Sequence, residues 1–462
     1  MQIYRVDSVL SSQGWLRDAS ITVSDRGEVL ALSPQTAAAA HTQHIAGIVV
    51  PGMPNAHSHA FQRAMAGANE VRSERRESFW TWRASMYALA NSVGPEDLEL
   101  IATQLFIEML KAGYTSVAEF HYLHRAPDGT AYPGCNALWR SLDAAAGIAG
   151  IGLTLLPALY LSSDFGARPL RREQARFRLS VEEFLQALSL RRRELAQGGD
   201  ARLHTGAAFH SLRAVPLESL REAAAGLREI DPGGVIHIHV AEQLREVSAC
   251  VRSCGRRPVE LLLDTGLIGP QWCLVHATHA NPAELAGIAA SGASVCLCPS
   301  TEGNLGDGWF DAARLLDAGG TLCIGSDSQA SVCPAEELRW LEYAQRLKRR
   351  RRAVLGSAAE PHVGARLWRA AAQCGARALG QPVGAIEVGR RADWLVLDPA
   401  HPTLAGATEE RVLDHLIFAG ARAAIRDVMV GGRWVVRGGI HEAEDAIAAR
   451  FGDWMRRAPQ AN

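Results

Sequence analysis

Residues 51–60 read PGMPNAHSHA and continue the apolar run 45–53. The run predicts a buried strand, on which side chains two residues apart point in the same direction. We therefore expect His57 and His59 to project together from the end of this strand. An isolated His-x-His pair is more often a pair of hydrogen-bonded core histidines than half of a metal site, so the rest of the chain must distinguish the two.

Size and charge restrict the classes of function. The chain has 462 residues, of which 48% are hydrophobic, enough for a large barrel and an accessory domain. A net charge of -1 and a pI of about 7.0 provide no general attraction to nucleic acid or to an anionic membrane, so we expect neither as a partner. The basic run 348–352 is interpreted as a solvated helix end. A small ligand fits this chain better than a polymer.

The N-terminal segment and the cysteines favour a cytoplasmic protein. Residues 1–10 lack a charged segment followed by an apolar one, and no apolar stretch reaches membrane-spanning length. The nine cysteines include no Cys-x-x-Cys pair, which argues against a disulfide framework. Cys296 and Cys298 share a strand face and could in principle bind a metal, but their apolar setting, ASVCLCPS, favours core packing.

Strand-like and amphipathic helical segments alternate through the middle of the chain. This order is typical of βα units around a parallel sheet. Eight candidate strands are present, the number that a TIM-type (β/α)8 barrel requires. They cover residues 48–53, 116–120, 153–159, 207–209, 235–240, 273–275, 294–297 and 321–324.

The two ends of the chain contain short β-like runs and do not show the alternation of strands and helices. Near the C-terminus, GAIEVGRRADWLVLD is followed by DVMVGGRWVVRGG, in which Gly431 and Gly432 form a predicted hairpin turn. We expect residues 1–50 and 385–440 to build one small β-sandwich-like domain beside a barrel of residues 51–384. Residues 441–462 predict a terminal helix to which no role is assigned.

Six of the predicted strands end in polar residues that could bind a metal or a ligand. In a barrel, the C-terminal ends of the strands form the active-site face. The chain has only 16 histidines, so this concentration is hard to ascribe to packing. In chain order the residues are His57 and His59; Glu119, His121 and Tyr122; His210 and Arg213; His237, His239 and Glu242; His276 and His279; and Asp327.

These side chains predict a hydrolytic metal site. Imidazole nitrogens and a carboxylate oxygen bind zinc or iron, and a coordination position left open takes water. The predicted ligands are His57, His59, His239 and Asp327. His237 shares the strand face of His239 but lies deeper, so it is interpreted as a core histidine. One metal is expected, because a two-metal site of this kind usually needs a bridging carboxylate or modified Lys, and no Lys lies near the third, fourth or fifth strand end.

The segments that carry these residues are PGMPNAHSHAFQRAMAG, HIHVAEQ, LVHATH and CIGSDS. They resemble the metal signatures of the amidohydrolase superfamily, specifically of its mononuclear deaminase branch. ESFWTWR, LKAGYTSVAEFHY, FHSLRAV, STEGNLGDG, EELRWLEY and both β-rich ends are similar to members of that branch that act on N-formimidoyl-L-glutamate in histidine degradation. The resemblance covers nearly the whole chain and also implies a homodimer.

The resemblance implies hydrolysis of N-formimidoyl-L-glutamate to N-formyl-L-glutamate and ammonia. One divalent metal, zinc or alternatively iron, would supply hydroxide that attacks the formimidoyl carbon. Glu242 would pass a proton to the imino nitrogen, while His276 and Asp327 would orient the water and accept its proton. Glu242 could instead be a carboxylate that favours a helix start. His276 is preferred to His279, interpreted as a loop residue, because it directly follows the apolar run 273–275.

A dicarboxylate substrate needs cationic partners, since burying an unpaired charge is costly. A guanidinium group donates two parallel hydrogen bonds to one carboxylate. Arg213 is predicted to bind one substrate carboxylate and Arg83 the other, although a surface salt bridge is the alternative for Arg83. The further predicted substrate contacts are Gln62, Tyr122 and His210. Trp80 and Trp82 are interpreted as core or interface aromatics.

Two other functions remain open at this point. The first is a nucleobase or related deaminase of the same superfamily, which would favour stacking and amide contacts over arginines. The second is a catalytically inactive metal-binding subunit of an assembly, against which the presence of Glu242 and His276 argues. The loop 125–135 is either a lid over the pocket or a plain surface connection.

Overall fold

The computed structural model describes residues 1–34, 42–71, 78–133, 136–198, 200–420 and 422–458. The strands are β1 (Gln2–Ser11), β2 (Gly14–Val23), β3 (Val29–Pro34), β4 (Thr42–Pro51), β5 (Met53–Ser58), β6 (Tyr114–His121), β7 (Gly152–Leu159), β8 (Leu203–Thr205), β9 (Ala207–Ser211), β10 (Ile236–Val240), β11 (Trp272–His276), β12 (Ser294–Leu297), β13 (Thr321–Ile324), β14 (Trp394–Leu397), β15 (Ile425–Val430) and β16 (Arg433–Val436).

The helices alternate with the strands of the middle region. They are α1 (Phe79–Ala90), α2 (Pro95–Ala112), α3 (Ala137–Ala149), α4 (Val181–Ala196), α5 (Leu217–Ile230), α6 (Leu244–Cys254), α7 (Pro258–Leu263), α8 (Pro282–Ser291), α9 (Pro299–Leu305), α10 (Ala312–Asp317), α11 (Pro334–Arg349), α12 (Val363–Leu379), α13 (Val412–Phe418) and α14 (Glu444–Arg457). Short 3-10 helices cover Ala60–Met65, Arg172–Phe177, Glu409–Arg411 and Arg422–Ala424. No helix in the described ranges is long and apolar enough to cross a membrane.

Eight parallel strands form the barrel, as predicted. They follow one another in the order β5, β6, β7, β9, β10, β11, β12 and β13, and β8 pairs with β7 beside them. The first and last strands meet at their C-terminal ends, where the Ser326 amide donates to the His57 carbonyl oxygen (3.0 Å) and the His59 amide to that of Asp327 (3.1 Å). The barrel therefore closes at the residues that were predicted to bind the metal.

The small β domain built from both chain ends is also confirmed. Its seven strands follow the order β16, β15, β14, β4, β1, β2 and β3, in which β4 lies between an N-terminal and a C-terminal strand. The sheet has an apolar core of its own, in which the Tyr4 ring makes edge contacts with Trp394 (5.7 Å between centroids) and Trp434 (6.1 Å). We propose domain boundaries after residues 50, 384 and 440.

The first predicted strand, residues 48–53, is wrong as a barrel strand. The apolar run belongs to two strands, since β4 of the small sheet ends at Pro51 and β5 of the barrel begins at Met53. Gly52 joins them where a side chain would collide with Thr115, at 2.3 Å from a built Cβ. His57 consequently lies within β5 and His59 follows it. The other seven predicted strands match observed strands to within two residues at each end.

The C-terminal end of helix α12 contacts the N-terminal parts of two barrel strands, β7 and β10. The Thr154 hydroxyl donates to the Leu379 carbonyl oxygen (2.7 Å), and Nε2 of His237 donates to that of Ala378 (2.8 Å). His237 is fully buried at this end, as the interpretation of a core histidine predicted.

The terminal helix α14 packs on α2. Lys111 forms an ion pair with Glu444 (2.5 Å), and the Trp454 indole donates to Asp97 (2.7 Å). Residues 459–462 of the predicted helix lie outside the described residues.

The described part of the loop 125–135 lies against the segment before α4. Nε of Arg125 donates to the Arg178 carbonyl oxygen (3.0 Å). Residues 134–135 lie outside the described residues, so the lid remains a prediction.

Candidate active site

Three imidazoles converge at the C-terminal end of the barrel. His57 and His59 come from the end of β5, and His239 comes from β10 on the other side of the barrel. One ring nitrogen of each lies within 4.8 Å of the others, and the Nε2 atoms of His57 and His239 are 2.9 Å apart. All three side chains are buried. The structure thus brings the predicted histidine ligands together.

The outer nitrogens of two of these rings are held by backbone carbonyl groups. Nδ1 of His59 donates to the Phe120 carbonyl oxygen (2.7 Å), and Nδ1 of His239 donates to that of His210 (2.9 Å). Both Nε2 lone pairs consequently face the centre of the cluster. Burial lowers the pKa of the three histidines, that of His59 to about 3, so the rings are neutral and can bind a cation.

Asp327 completes the donor set. Its Oδ1 atom is 3.5 Å from Nε2 of His57 and 3.4 Å from Nε2 of His59. The residue adopts a left-handed backbone conformation (φ 46°), which is uncommon for an L-residue and is frequent at functional sites. Three neutral imidazoles, with a carboxylate oxygen 3.4–3.5 Å from two of them, are a donor set that fits a zinc or iron ion.

Glu242 lies beside this cluster, directly after β10. Its Oε1 atom is 3.8 Å from Nε2 of His276, and burial raises the pKa of Glu242 to about 7. Glu246 fixes the turn, because it accepts hydrogen bonds from the amides of Ala241 (3.2 Å) and Glu242 (3.1 Å). A buried carboxyl group with a pKa near neutrality can both donate and accept a proton.

His276 ends β11 and faces Asp327. Its Nε2 atom is 3.6 Å from Oδ2 of Asp327, and its Nδ1 donates to Oε1 of Glu302 (3.2 Å). Burial lowers the pKa of His276, but the carboxylates of Glu242, Glu302 and Asp327 outweigh burial and raise it to about 10. His279 lies farther along the loop, with its ring against Gly308. The structure therefore places His276, and not His279, among the other site residues.

A cavity of about 50 Å³ opens on this cluster. Neither Arg83 nor Arg213 has a carboxylate of a described residue within salt-bridge distance, and Arg213 is only 6% exposed. The amide of Gln62 donates to the Tyr122 hydroxyl (2.9 Å). The five predicted substrate-binding residues, Gln62, Arg83, Tyr122, His210 and Arg213, all line the cavity.

Aromatic residues form much of the remaining wall. Trp82 packs against the apolar core, as predicted, and also lines the cavity. The Trp80 ring lies 4.4 Å from the guanidinium carbon of Arg83 and 4.5 Å from that of Arg245. Trp80 thus stacks on a predicted substrate-binding residue. The other aromatic wall residues are Phe79, Tyr87, Tyr160 and Phe177.

Sequence reasoning missed Glu302, and it assigned Cys298, whose thiol lies beside the site, to core packing alone. Glu302 accepts the hydrogen bonds of His276 Nδ1 and of the Cys298 amide (3.0 Å). It lies five residues after β12, within the motif STEGNLGDG. A carboxylate just after a barrel strand is the signal that could have identified it.

Comparisons with known proteins agree with this geometry. The profile of the amidohydrolase family matches residues 48–435. Formimidoylglutamate deiminase of Pseudomonas aeruginosa is 48% identical over 96% of this chain and 97% of its own. A 5-methylthioadenosine/S-adenosylhomocysteine deaminase of Halobacterium salinarum is 28% identical over 93% and 91%. The crystal structure of an amidohydrolase from Brucella melitensis superposes with a TM-score of 0.92, at 39% identity and 99% coverage of both chains.

Proposed function

The chain belongs to the amidohydrolase family, and we propose that it acts as a formimidoylglutamate deiminase, an enzyme that hydrolyses a C–N bond of a linear amidine. Its substrate is N-formimidoyl-L-glutamate and its products are N-formyl-L-glutamate and ammonia. The observation that carries this assignment is the pair Arg83 and Arg213, two guanidinium groups that line one cavity with the histidine cluster. Two such groups match the two carboxylates of the substrate.

We propose that His57, His59, His239 and Asp327 hold one divalent metal, zinc in preference to iron. The convergent Nε2 atoms and the adjacent carboxylate support this ligand set. A metal ion bound there would make water acidic enough to supply a nucleophile near neutral pH.

The chain's own residues move the protons of the reaction. Water adds to the formimidoyl carbon, and the bond from this carbon to the imino nitrogen breaks. His276 and Asp327, 3.6 Å apart, orient the water; His276 carries a proton because its pKa is raised to about 10, so Asp327 is the group that accepts the proton of the water. Glu242 protonates the imino nitrogen, and a second proton, returned by Asp327, completes the departing ammonia. The hydroxyl proton of the adduct passes to Glu242 as the C–N bond breaks, which forms the formyl carbonyl group and restores the acid. The pKa of Glu242 near 7 allows it to carry the proton that it donates.

Arg213 and Arg83 anchor the glutamate part of the substrate. Because Arg213 is buried at the cavity wall, we propose that it binds one carboxylate through its guanidinium fork, with His210 and Tyr122 as further donors. Arg83, fixed by its stacking on Trp80, binds the other carboxylate, and Gln62 reaches the substrate beside Tyr122. This arrangement orients the formimidoyl group towards the histidine cluster.

A nucleobase deaminase is the competing function. A turnover screen with N-formimidoyl-L-glutamate, guanine and adenosine derivatives distinguishes the two. We expect turnover of the dicarboxylate alone, because a neutral base leaves Arg83 and Arg213 without partners. Preference for a base would refute the substrate assignment, and absence of any turnover by the metal-loaded protein would favour the inactive assembly subunit.

We also propose a homodimer in the cytoplasm. The resemblance of the sequence supports the dimer, and the near-neutral net charge is compatible with a small-molecule enzyme. Sedimentation of the purified protein measures the number of chains directly.

Removal of the metal is expected to abolish turnover. Chelation should lower the rate by more than about a hundredfold, since water is then no longer activated. One equivalent of zinc should restore the activity, whereas magnesium should not, because a site of three imidazoles favours borderline-soft ions. Full activity in protein shown to be metal-free would contradict the proposed metal site.

Glu302 is expected to hold His276 in its reactive orientation. Glu302→Ala should lower kcat by about a hundredfold with little change in KM, and Glu302→Gln, which retains an acceptor for Nδ1, should recover part of that loss. Glu337→Gln is the matched control, because Glu337 of α11 accepts a hydrogen bond from the amide of Ser300 (2.9 Å) in α9, the helix that carries Glu302. An equal loss of kcat in Glu337→Gln would mean that only the stability of α9 matters.

A further inference from the structure

The two oxygens of Asp327 face different groups. Oδ1 lies 3.4 Å from His59 Nε2 and 3.5 Å from His57 Nε2, whereas Oδ2 lies 3.6 Å from His276 Nε2. A carboxylate that presents one oxygen to each of two donor groups can bridge two cations, which lie about 3.5–4 Å apart in two-metal sites. The proposed metal uses the first group, the imidazoles of His57 and His59 at Oδ1. It does not use the second group, which begins with His276 at Oδ2.

Cys298 lies in the second group, beside His276 and Asp327. It directly follows β12 and is fully buried. Its Sγ atom, a ring nitrogen of His276 and a carboxylate oxygen of Asp327 all lie within 4.8 Å of one another. Cys298 belongs to the buried apolar core, as the sequence predicted, and its thiol also lies beside two residues of the proposed active site.

The His276 ring is oriented as a metal-ligating imidazole would be. Its Nδ1 donates to Glu302, so Nε2 faces Asp327 and would bind a cation once it has released its proton. Histidine ligands commonly donate their outer nitrogen to a carboxylate in this way. Thiolate sulfur, imidazole nitrogen and carboxylate oxygen together are a zinc-type donor set.

We propose that His276, Cys298 and Asp327 form a second cation site, which takes a soft divalent ion such as zinc or cadmium and inhibits the enzyme when it is filled. Binding replaces the proton of the Cys298 thiol and the Nε2 proton of His276, both of which are released to solvent, and involves no redox step. The inhibition rests on the proposed function, because the second ion would occupy Nε2 of His276 and share Asp327. The binding itself does not depend on that function.

The test titrates protein that carries one equivalent of zinc with cadmium. Bound cadmium and retained zinc are measured after gel filtration, and the ultraviolet thiolate-to-cadmium absorption is recorded. We expect one additional cation per chain, accompanied by this absorption. Cys298→Ser should lose the absorption, and Cys254→Ser, which removes an exposed thiol, should keep it. Magnesium should not compete.

A second variant covers the case in which Cys298→Ser is poorly folded. His276→Asn should weaken the second cadmium by about tenfold or more while the first zinc stays bound, because a loss of one nitrogen ligand costs at least that much affinity. Excess zinc should inhibit turnover of N-formimidoyl-L-glutamate in the unaltered enzyme, and Cys298→Ser should be less inhibited relative to its own activity.

Three results would overturn the second site. They are the absence of a second cation, a thiolate absorption that persists in Cys298→Ser, and cadmium that merely displaces the zinc. If the absorption behaves as expected but the protein turns over no N-formimidoyl-L-glutamate, the proposed function fails and the second site stands.

Discussion

Replacing Glu242 by glutamine is expected to lower kcat by about 10³-fold or more, because a positioned acid-base group contributes roughly 10² to 10⁴ to such reactions. Glutamine has nearly the shape of glutamate but cannot deliver a proton to the imino nitrogen. KM should change little, since Glu242 is not among the residues that anchor the carboxylates. The measurement is steady-state ammonia release from N-formimidoyl-L-glutamate.

Metal content and thermal unfolding must accompany this measurement. The Glu242→Gln protein should retain its metal, because the proposed ligands are untouched. Glu242→Asp should have a kcat between those of the wild type and Glu242→Gln. It keeps a carboxyl group, but the shorter side chain places this group farther from His276 than the 3.8 Å of Glu242. Wild-type activity in Glu242→Gln would eliminate Glu242 as the proton donor and leave only the helix-start role.

The second large effect concerns Arg213. Arg213→Met is expected to lower kcat/KM by about 10³-fold, because the substrate carboxylate would enter a buried position without a cation. Arg213→Lys should recover only part of this loss, since an ammonium group cannot reproduce the two parallel hydrogen bonds of the guanidinium fork. The expected loss is in kcat/KM for the dicarboxylate, measured by progress curves at low substrate concentration.

Arg245→Met provides the matched control for charge. Arg245 also stacks on Trp80 (4.5 Å) but is exposed and does not line the cavity. We expect its loss to change kcat/KM by less than about threefold, as for a surface charge. If Arg245→Met and Arg213→Met had equal effects, the arginines would contribute a general electrostatic attraction and not a specific contact.

The barrel and the histidine cluster could be predicted because each strand is a short apolar run followed by polar residues. Where the apolar pattern continued across a boundary, the prediction failed. The run 45–53 contains no polar residue at the transition between sheets, and only the steric need for Gly52 against Thr115 separates β4 from β5. A contact between residues 63 positions apart leaves no local pattern.

The cavity wall was harder to predict than the metal ligands. Arg83 lies on α1, separated from His59 by a segment without periodicity, and only the family resemblance selected it. The direction of Cys298 could not be inferred, since a strand that is buried on both faces shows no alternation of polar and apolar residues. Glu302 was missed for a related reason, because its partner His276 lies 26 residues earlier on another strand.

The most direct test of the account combines product analysis and metal analysis on one sample. Protein loaded with zinc to between zero and one ion per chain is given N-formimidoyl-L-glutamate, and formylglutamate, ammonia and bound zinc are measured together. We predict equal amounts of the two products and a rate proportional to bound zinc up to one ion per chain. A rate independent of zinc content, or no product from the fully loaded protein, would contradict the proposal of a zinc-dependent deiminase.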